Sequence, residues 1–203
     1  MFDARLRPLI DPPLNAIGRR IARVGIGANQ VTLAGTAIGI GAGIAIADRR
    51  FALALALVLV CRLLDGLDGA VARATHKSDF GGYLDIVGDF AFYVAVPVGF
   101  GFADSANLPF ALLLVASFTL TGISFLAFAV LASTRGIETT AHGEKSFFYN
   151  SGIAEGGETI AFFIAMCLWP AAFPALASAF TALCLLTVGQ RTLAARHFLT
   201  GRS

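Results

Sequence analysis

Six long apolar stretches dominate this chain and leave it few ways to fold. They run over about 29–47, 51–73, 81–102, 108–133 and 153–169, and the last ends near Arg191. Crossing roughly 30 Å of hydrocarbon takes about 20 apolar residues in a helix, so each stretch predicts one spanning helix. With 57% hydrophobic and only 14% charged residues, the chain also lacks the charge that coats a soluble domain. The 203 residues leave room for six spans, short connections and little else. The expected fold is therefore an all-α integral membrane protein of six transmembrane helices. It is read as one domain, with a cytoplasmic segment over 1–28 and the bundle over 29–195.

The segment before the bundle has its own pattern. Leu14, Ile17, Ile21 and Val24 recur at helical spacing, with Arg19, Arg20 and Arg23 between them. This predicts an amphipathic juxtamembrane helix on an anionic membrane surface, or one packed against the end of the bundle. Pro12 and Pro13 would start it, and Gly25 and Gly27 would end it. Met1 to Pro13 is charged and proline-containing, which predicts no cleavable signal peptide.

Basic residues set the orientation. With the N-terminus inside, the cytoplasmic segments hold Arg5, Arg7, Arg19, Arg20, Arg23, Arg73, Lys77, Arg135, Lys145, Arg191, Arg196 and Arg202, whereas the outer loops hold Arg49 and Arg50. That bias predicts both termini on the cytoplasmic side of the membrane. A net charge of +2 argues against a nucleic-acid-binding surface. Cys61, Cys167 and Cys184 lie in apolar runs without ligand spacing and read as small buried side chains. Gly35, Gly39 and Gly43 form one small stripe along which another helix backbone can approach.

Chemistry concentrates in CRLLDGLDGAVARATHKSDFGGYLDIVGDF, residues 61–90. Asp65 and Asp68 are three apart on the second span, and Asp85 and Asp89 are four apart on the third. Each pair therefore lies on one helix face, and the short connection makes the two helices antiparallel neighbours. Four carboxylates converging in a membrane repel one another unless protonated or bridged by cations. Oxygen ligands without His or Cys favour Mg²⁺ or Mn²⁺. Gly66, Gly69, Gly81, Gly82 and Gly88 keep the rim free of side chains, and Arg73 offers a charge to phosphate. Arg62, three residues before Asp65, is read as neutralising a buried carboxylate.

This segment resembles the signature of the CDP-alcohol phosphatidyltransferases, D-x-x-D-G-x-x-A-R followed by G-x-x-x-D-x-x-x-D. Here the positions are Asp65, Asp68, Gly69, Ala72, Arg73, Gly81, Asp85 and Asp89, and every one is filled. The six spans, the preceding amphipathic helix and Asn29-x-x-Thr32 are also similar to the family. The resemblance implies transfer of a phosphatidyl group from CDP-diacylglycerol to an alcohol, with release of CMP. It implies two divalent cations held mainly by Asp65, Asp68 and Asp85. Asp89 would complete the second metal site and act as general base. Gly69, Ala72, Arg73 and Gly81 would line the nucleotide, with Asn29 and Thr32 either contributing to that pocket or capping the first span. A homodimer is likewise implied.

The acceptor is less constrained. Arg135, Lys145 and Arg191 suit an acceptor phosphate, which puts glycerol 3-phosphate first, ahead of an inositol phosphate or serine. Glu155 and Glu158, set among glycines at the start of the fifth span, are placed around the same site, with helix capping as the alternative, although they would repel a phosphate beside them. Two other classes compete. A cation transporter predicts acids spread through the membrane depth, and a scaffold without activity predicts that Asp89→Asn changes nothing.

Overall fold

The structure, a computed structural model, describes residues 3–134, 154 and 156–200. It is all-helical. Seven α-helices occur among the described residues: α1 (Asp3–Arg23), α2 (Ala28–Ala47), α3 (Phe51–Ala74), α4 (Asp79–Ala103), α5 (Leu108–Thr134), α6 (Gly156–Leu168) and α7 (Phe173–Thr200). Short 3₁₀ turns at Ser105–Asn107 and Pro170–Ala172 lead into α5 and α7.

Four helical segments are long and apolar enough to cross a membrane: Ala28–Ala47, Asp79–Ala103, Ser105–Thr134 and Pro170–Arg196. The two other expected spans differ for identifiable reasons. Helix α3 is long enough at 24 residues, but carries Arg62, Asp65, Asp68 and Arg73. Helix α6 is apolar but has only 13 residues. Exposed Leu33, Ile44, Leu112, Leu113, Leu185 and Leu186 form the apolar exterior that hydrocarbon demands and water penalises. This is a multi-pass membrane protein.

Helix starts follow local chemistry. The Gly27 N–H donates to Gln30 Oε1 at 2.9 Å ahead of α2, and the Gly81 N–H donates to Ser78 Oγ at 3.0 Å ahead of α4. Each bond satisfies a donor that the first helical turn leaves without a partner. Between α2 and α3, Arg49 turns the chain with φ 60° and donates from Nε and a terminal nitrogen to the Ala103 carbonyl at 2.9 and 2.7 Å. That carbonyl ends α4, so this one side chain ties two helix ends together.

Helix α2 packs between α3 and α4, and its glycine stripe explains how closely. A Cβ at Gly39 would lie 2.9 Å from the Phe92 ring and 3.0 Å from Cys61 Sγ, while one at Gly43 would run into the Ala95 carbonyl. The stripe expected from spacing therefore serves both neighbours within one bundle. Helices α5, α6 and α7 close around an aromatic core. Phe92 meets Phe163 at 5.4 Å, Phe118 meets Phe180 at 5.7 Å, and Phe100 stacks on Phe173 at 4.3 Å.

Helix α1 starts earlier than proline placement suggested. It begins at Asp3, so Pro12 and Pro13 lie inside it. An interior proline loses its own N–H bond and crowds the carbonyl four residues earlier, yet α1 runs through both positions. Leu14 and Ile21 pack onto Leu67 and Val71 of α3, whereas Ile17 and Val24 stay exposed. The helix is thus both docked on the bundle and open along part of its apolar face.

Candidate active site

Helix α3 descends and α4 returns through the short segment 75–78, bringing the two acidic pairs together. Ligand oxygens of Asp65, Asp68 and Asp85 all lie within 4.8 Å of one another. Asp89, one turn from Asp85, lines the same small pocket, together with Thr32, Gly35, Thr36, Cys61, Gly88 and Phe92. Its space is about 20 Å³, the scale of an ion or a water. Carboxylate and hydroxyl oxygens converging without nitrogen or sulfur donors other than buried Cys61 fit a hard divalent cation.

Each acid has a distinct setting. Asp68 is buried and accepts a hydrogen bond from Thr32 Oγ1 at 2.6 Å. Asp65 is half-buried and paired with Arg62 on the same helix, the neutralising contact expected from their spacing. Asp89 is half-buried at the deeper end of the group.

The Thr32 bond gives this residue a partner that spacing did not suggest. Thr32 does not cap α2, because the Gln30 side chain does that; it reaches 36 residues along the chain to hold Asp68. Thr32→Val should therefore leave Asp68 buried without its donor and weaken Mn²⁺ binding about tenfold, whereas Thr32→Ser should bind within about threefold of the original. Titration of Mn²⁺ by electron paramagnetic resonance checks this, and equal affinities for Val and Ser would exclude it.

Asn29 lies at the mouth of the site. A Cβ on Gly81 would be 3.0 Å from Asn29 Oδ1 and 3.1 Å from Ser78 Oγ, so Asn29 and Gly81 sit side by side at the starts of α2 and α4. Ala72 is half-buried and Arg73 exposed at the end of α3. The glycine rim is only partly as expected. Gly82 faces open space, but Gly66 is covered by Leu14 of α1 and Gly88 by Thr36 of α2. Gly69 accommodates the Arg73 guanidinium, 3.3 Å from where a Cβ would be. Gly66 and Gly88 therefore serve helix packing rather than substrate approach, because a neighbouring helix already occupies the space they leave.

The residues assigned to the acceptor are divided. Arg135, Lys145 and Glu155 lie outside the described residues. Arg191 lines a cavity of about 240 Å³ together with Phe90, Tyr93, Phe118, Phe125 and Gly156. It donates to the Thr121 carbonyl at 3.2 Å and lies 5.7 Å over the Phe125 ring. Tyr93 is one turn from Asp89 on the same face of α4, so cavity and acidic pocket are neighbours. Glu158 is half-buried in the first turn of α6, where a negative charge suits the helix dipole.

Two residues escaped sequence reasoning. Thr36 fills the gap at Gly88 and donates to the Thr32 carbonyl at 3.0 Å. Asn15 on α1 accepts from Arg73 Nε at 3.0 Å. Neither carries a local signal, since each partner is distant in sequence or set by helix rotation.

Comparison with known proteins agrees with this geometry. Residues 26–197 match the model of the CDP-alcohol phosphatidyltransferase family. The inner membrane protein YnjF of Escherichia coli K12 is 44% identical over 192 residues, which is 94% of this chain and 93% of that protein. An archaetidylinositol phosphate synthase of Pyrococcus horikoshii is 39% identical over 83 residues, 40% of this chain and 44% of that protein. Among solved structures, the phosphatidylinositol phosphate synthase of Mycobacterium tuberculosis with CDP-DAG bound superposes with a TM-score of 0.73 at 20% identity, over 90% of this chain and 93% of that one. The same enzyme with manganese and citrate gives a TM-score of 0.67 at 20% identity, over 90% and 88%.

Proposed function

Since the chain belongs to the CDP-alcohol phosphatidyltransferase family and is an enzyme of it, we propose that it moves a phosphatidyl group from CDP-diacylglycerol to an alcohol and releases CMP. The observation that carries this reading is the convergence of Asp65, Asp68 and Asp85, with Asp89 lining the same pocket. An intramembrane cation pathway is disfavoured by the same observation, because these acids gather in one pocket instead of spreading along the spans.

In this reading Asp65, Asp68 and Asp85 hold divalent metal and Asp89 completes a second site. When bound, the two cations, Mg²⁺ or Mn²⁺, neutralise the diphosphate and favour departure of CMP. Asp89 takes the proton from the acceptor hydroxyl. That oxygen forms a bond to the phosphatidyl phosphorus as the bond to the CMP oxygen breaks. Arg73, Gly69, Ala72, Gly81 and Asn29 receive the nucleotide and its phosphates, while Thr32 acts through Asp68. Helices α3 and α6 join the four long apolar segments as spans. That makes six, with both termini and the site on the cytoplasmic side, and residues 1–203 form one domain.

Glycerol 3-phosphate is the first acceptor in this proposal, with Arg135, Lys145 and Arg191 supplying charge and Glu155 and Glu158 nearby. An inositol phosphate is the second, favoured by the likeness to the archaeal synthase. The test is purified protein with CDP-diacylglycerol, Mg²⁺ or Mn²⁺, and glycerol 3-phosphate, inositol phosphate or serine, reading CMP and the lipid product. Chelation by EDTA should abolish CMP release, and metal-independent turnover would exclude the mechanism. Lys145→Ala should raise the KM for a phosphorylated acceptor; an unchanged value would favour a neutral alcohol.

A further inference from the structure

Arg73 stands at the exposed end of α3, where an unrestrained arginine would sample many rotamers. Two contacts restrict it. Its Nε donates to Asn15 Oδ1 at 3.0 Å, and its guanidinium folds back over the bare backbone of Gly69. Asn15 comes from α1, 58 residues earlier in the chain.

The position of Asn15 is in turn set by how α1 docks. A Cβ at Gly18 would lie 2.7 Å from Ala70 Cβ and 2.8 Å from the Ala70 carbonyl carbon, so the two helices meet almost backbone to backbone. One turn earlier, Leu14 covers Gly66. Asn15 is next to Leu14 and is carried to the rim of the motif helix by these two contacts. A guanidinium has five N–H donors in a rigid fork. With Nε committed to Asn15, the terminal nitrogens are the donors left to meet an anion.

We propose that Asn15 is a positioning residue that holds the Arg73 guanidinium ready for the substrate's diphosphate, making α1 part of the nucleotide-binding machinery. This rests on the reading that Arg73 binds that diphosphate. The amphipathic helix then has a second task beyond packing on α3. Preorganisation of this kind lowers the cost of ordering a long side chain on binding, so it appears in substrate affinity more than in turnover.

A double-mutant cycle tests it, with KM for CDP-diacylglycerol and kcat measured in lipid nanodiscs. Asn15→Ala should raise KM about tenfold while kcat changes less than about threefold, and Asn15→Gln, which keeps a neutral amide acceptor, should recover part of KM. In an Arg73→Ala background, Asn15→Ala should have no further effect. An equal rise in KM in both backgrounds would overturn the proposal, because Asn15 would then act through the seating of α1. An unchanged KM in Asn15→Ala alone would also overturn it. If Arg73→Ala itself leaves KM unchanged, the failure lies in the diphosphate reading of Arg73 and takes this inference with it. Alanine is the better helix former, so loss of fold is not expected; if it occurs, Asn15→Leu, of similar size but without an acceptor, replaces it in the cycle under the same criteria.

Discussion

Replacing Asp89 with Asn should lower CMP release about a thousandfold, within the range for losing a general base, while the protein stays folded. The substitution keeps size and shape and removes only the ability to take a proton and to carry charge. Asp89 sits on α4 one turn deeper than Asp85 and outside the trio of acids whose oxygens come together. Asp65, Asp68 and Asp85 are untouched, so the variant should still bind Mn²⁺ at the site those three form, with the second site that Asp89 completes weakened. Losing both Mn²⁺ and activity would make Asp89 primarily a ligand. Retaining a tenth or more of the activity would remove it from the role of base. Monodisperse elution in detergent and an unchanged melting temperature show that the bundle remains assembled.

The second large effect is structural. Gly43→Val should prevent or severely weaken assembly. A Cβ at Gly43 would run into the carbonyl oxygen and carbon of Ala95, and one at Gly99 would run into the Gly43 carbonyl. Backbone atoms on both sides cannot swing aside as a flexible side chain would. Overpacking costs about 1–3 kcal/mol when neighbours can adjust, and this contact should reach the upper end or exceed it. Separation of α2 from α4 would also shift Asp85 and Asp89 on α4 relative to Asp68 on α3, which Thr32 holds, so Mn²⁺ binding and turnover should fall together. Gly41→Val is the control, since the nearest neighbour of a Cβ there is Leu57 Cδ1 at 3.9 Å. Equal melting temperatures for the two variants would show that the α2–α4 contact can relax.

These two cases divide along what a linear pattern can carry. Asp65 and Asp68 at a spacing of three, and Asp85 and Asp89 at a spacing of four, already imply one face each, because helical periodicity is local. Likewise Gly35, Gly39 and Gly43 imply a surface for close approach. The identity of the approaching partner is not local. Gly43 meets Ala95 and Gly39 meets Phe92 and Cys61 because of how α2, α3 and α4 are rotated against one another. The same limit explains the glycine rim, where Gly66 and Gly82 look alike in sequence and only one is covered by a neighbour.

Local chemistry was also ambiguous where two uses share a residue type. Threonine at position 32 suits a helix cap, a nucleotide contact or a carboxylate partner, and Gln30 took the cap. Prolines at 12 and 13 suit a helix start, yet α1 begins at Asp3 and runs through them despite the N–H bonds they remove.

By itself, then, the sequence determined the helical membrane class, the family and the acids of the motif, all of which rest on apolar length and short-range spacing. Only the tertiary structure decided that Thr32 holds Asp68, that Asn15 holds Arg73 and that Gly43 seats α4. Each of those depends on the relative rotation of helices, which side-chain packing across the whole bundle sets and no single segment encodes.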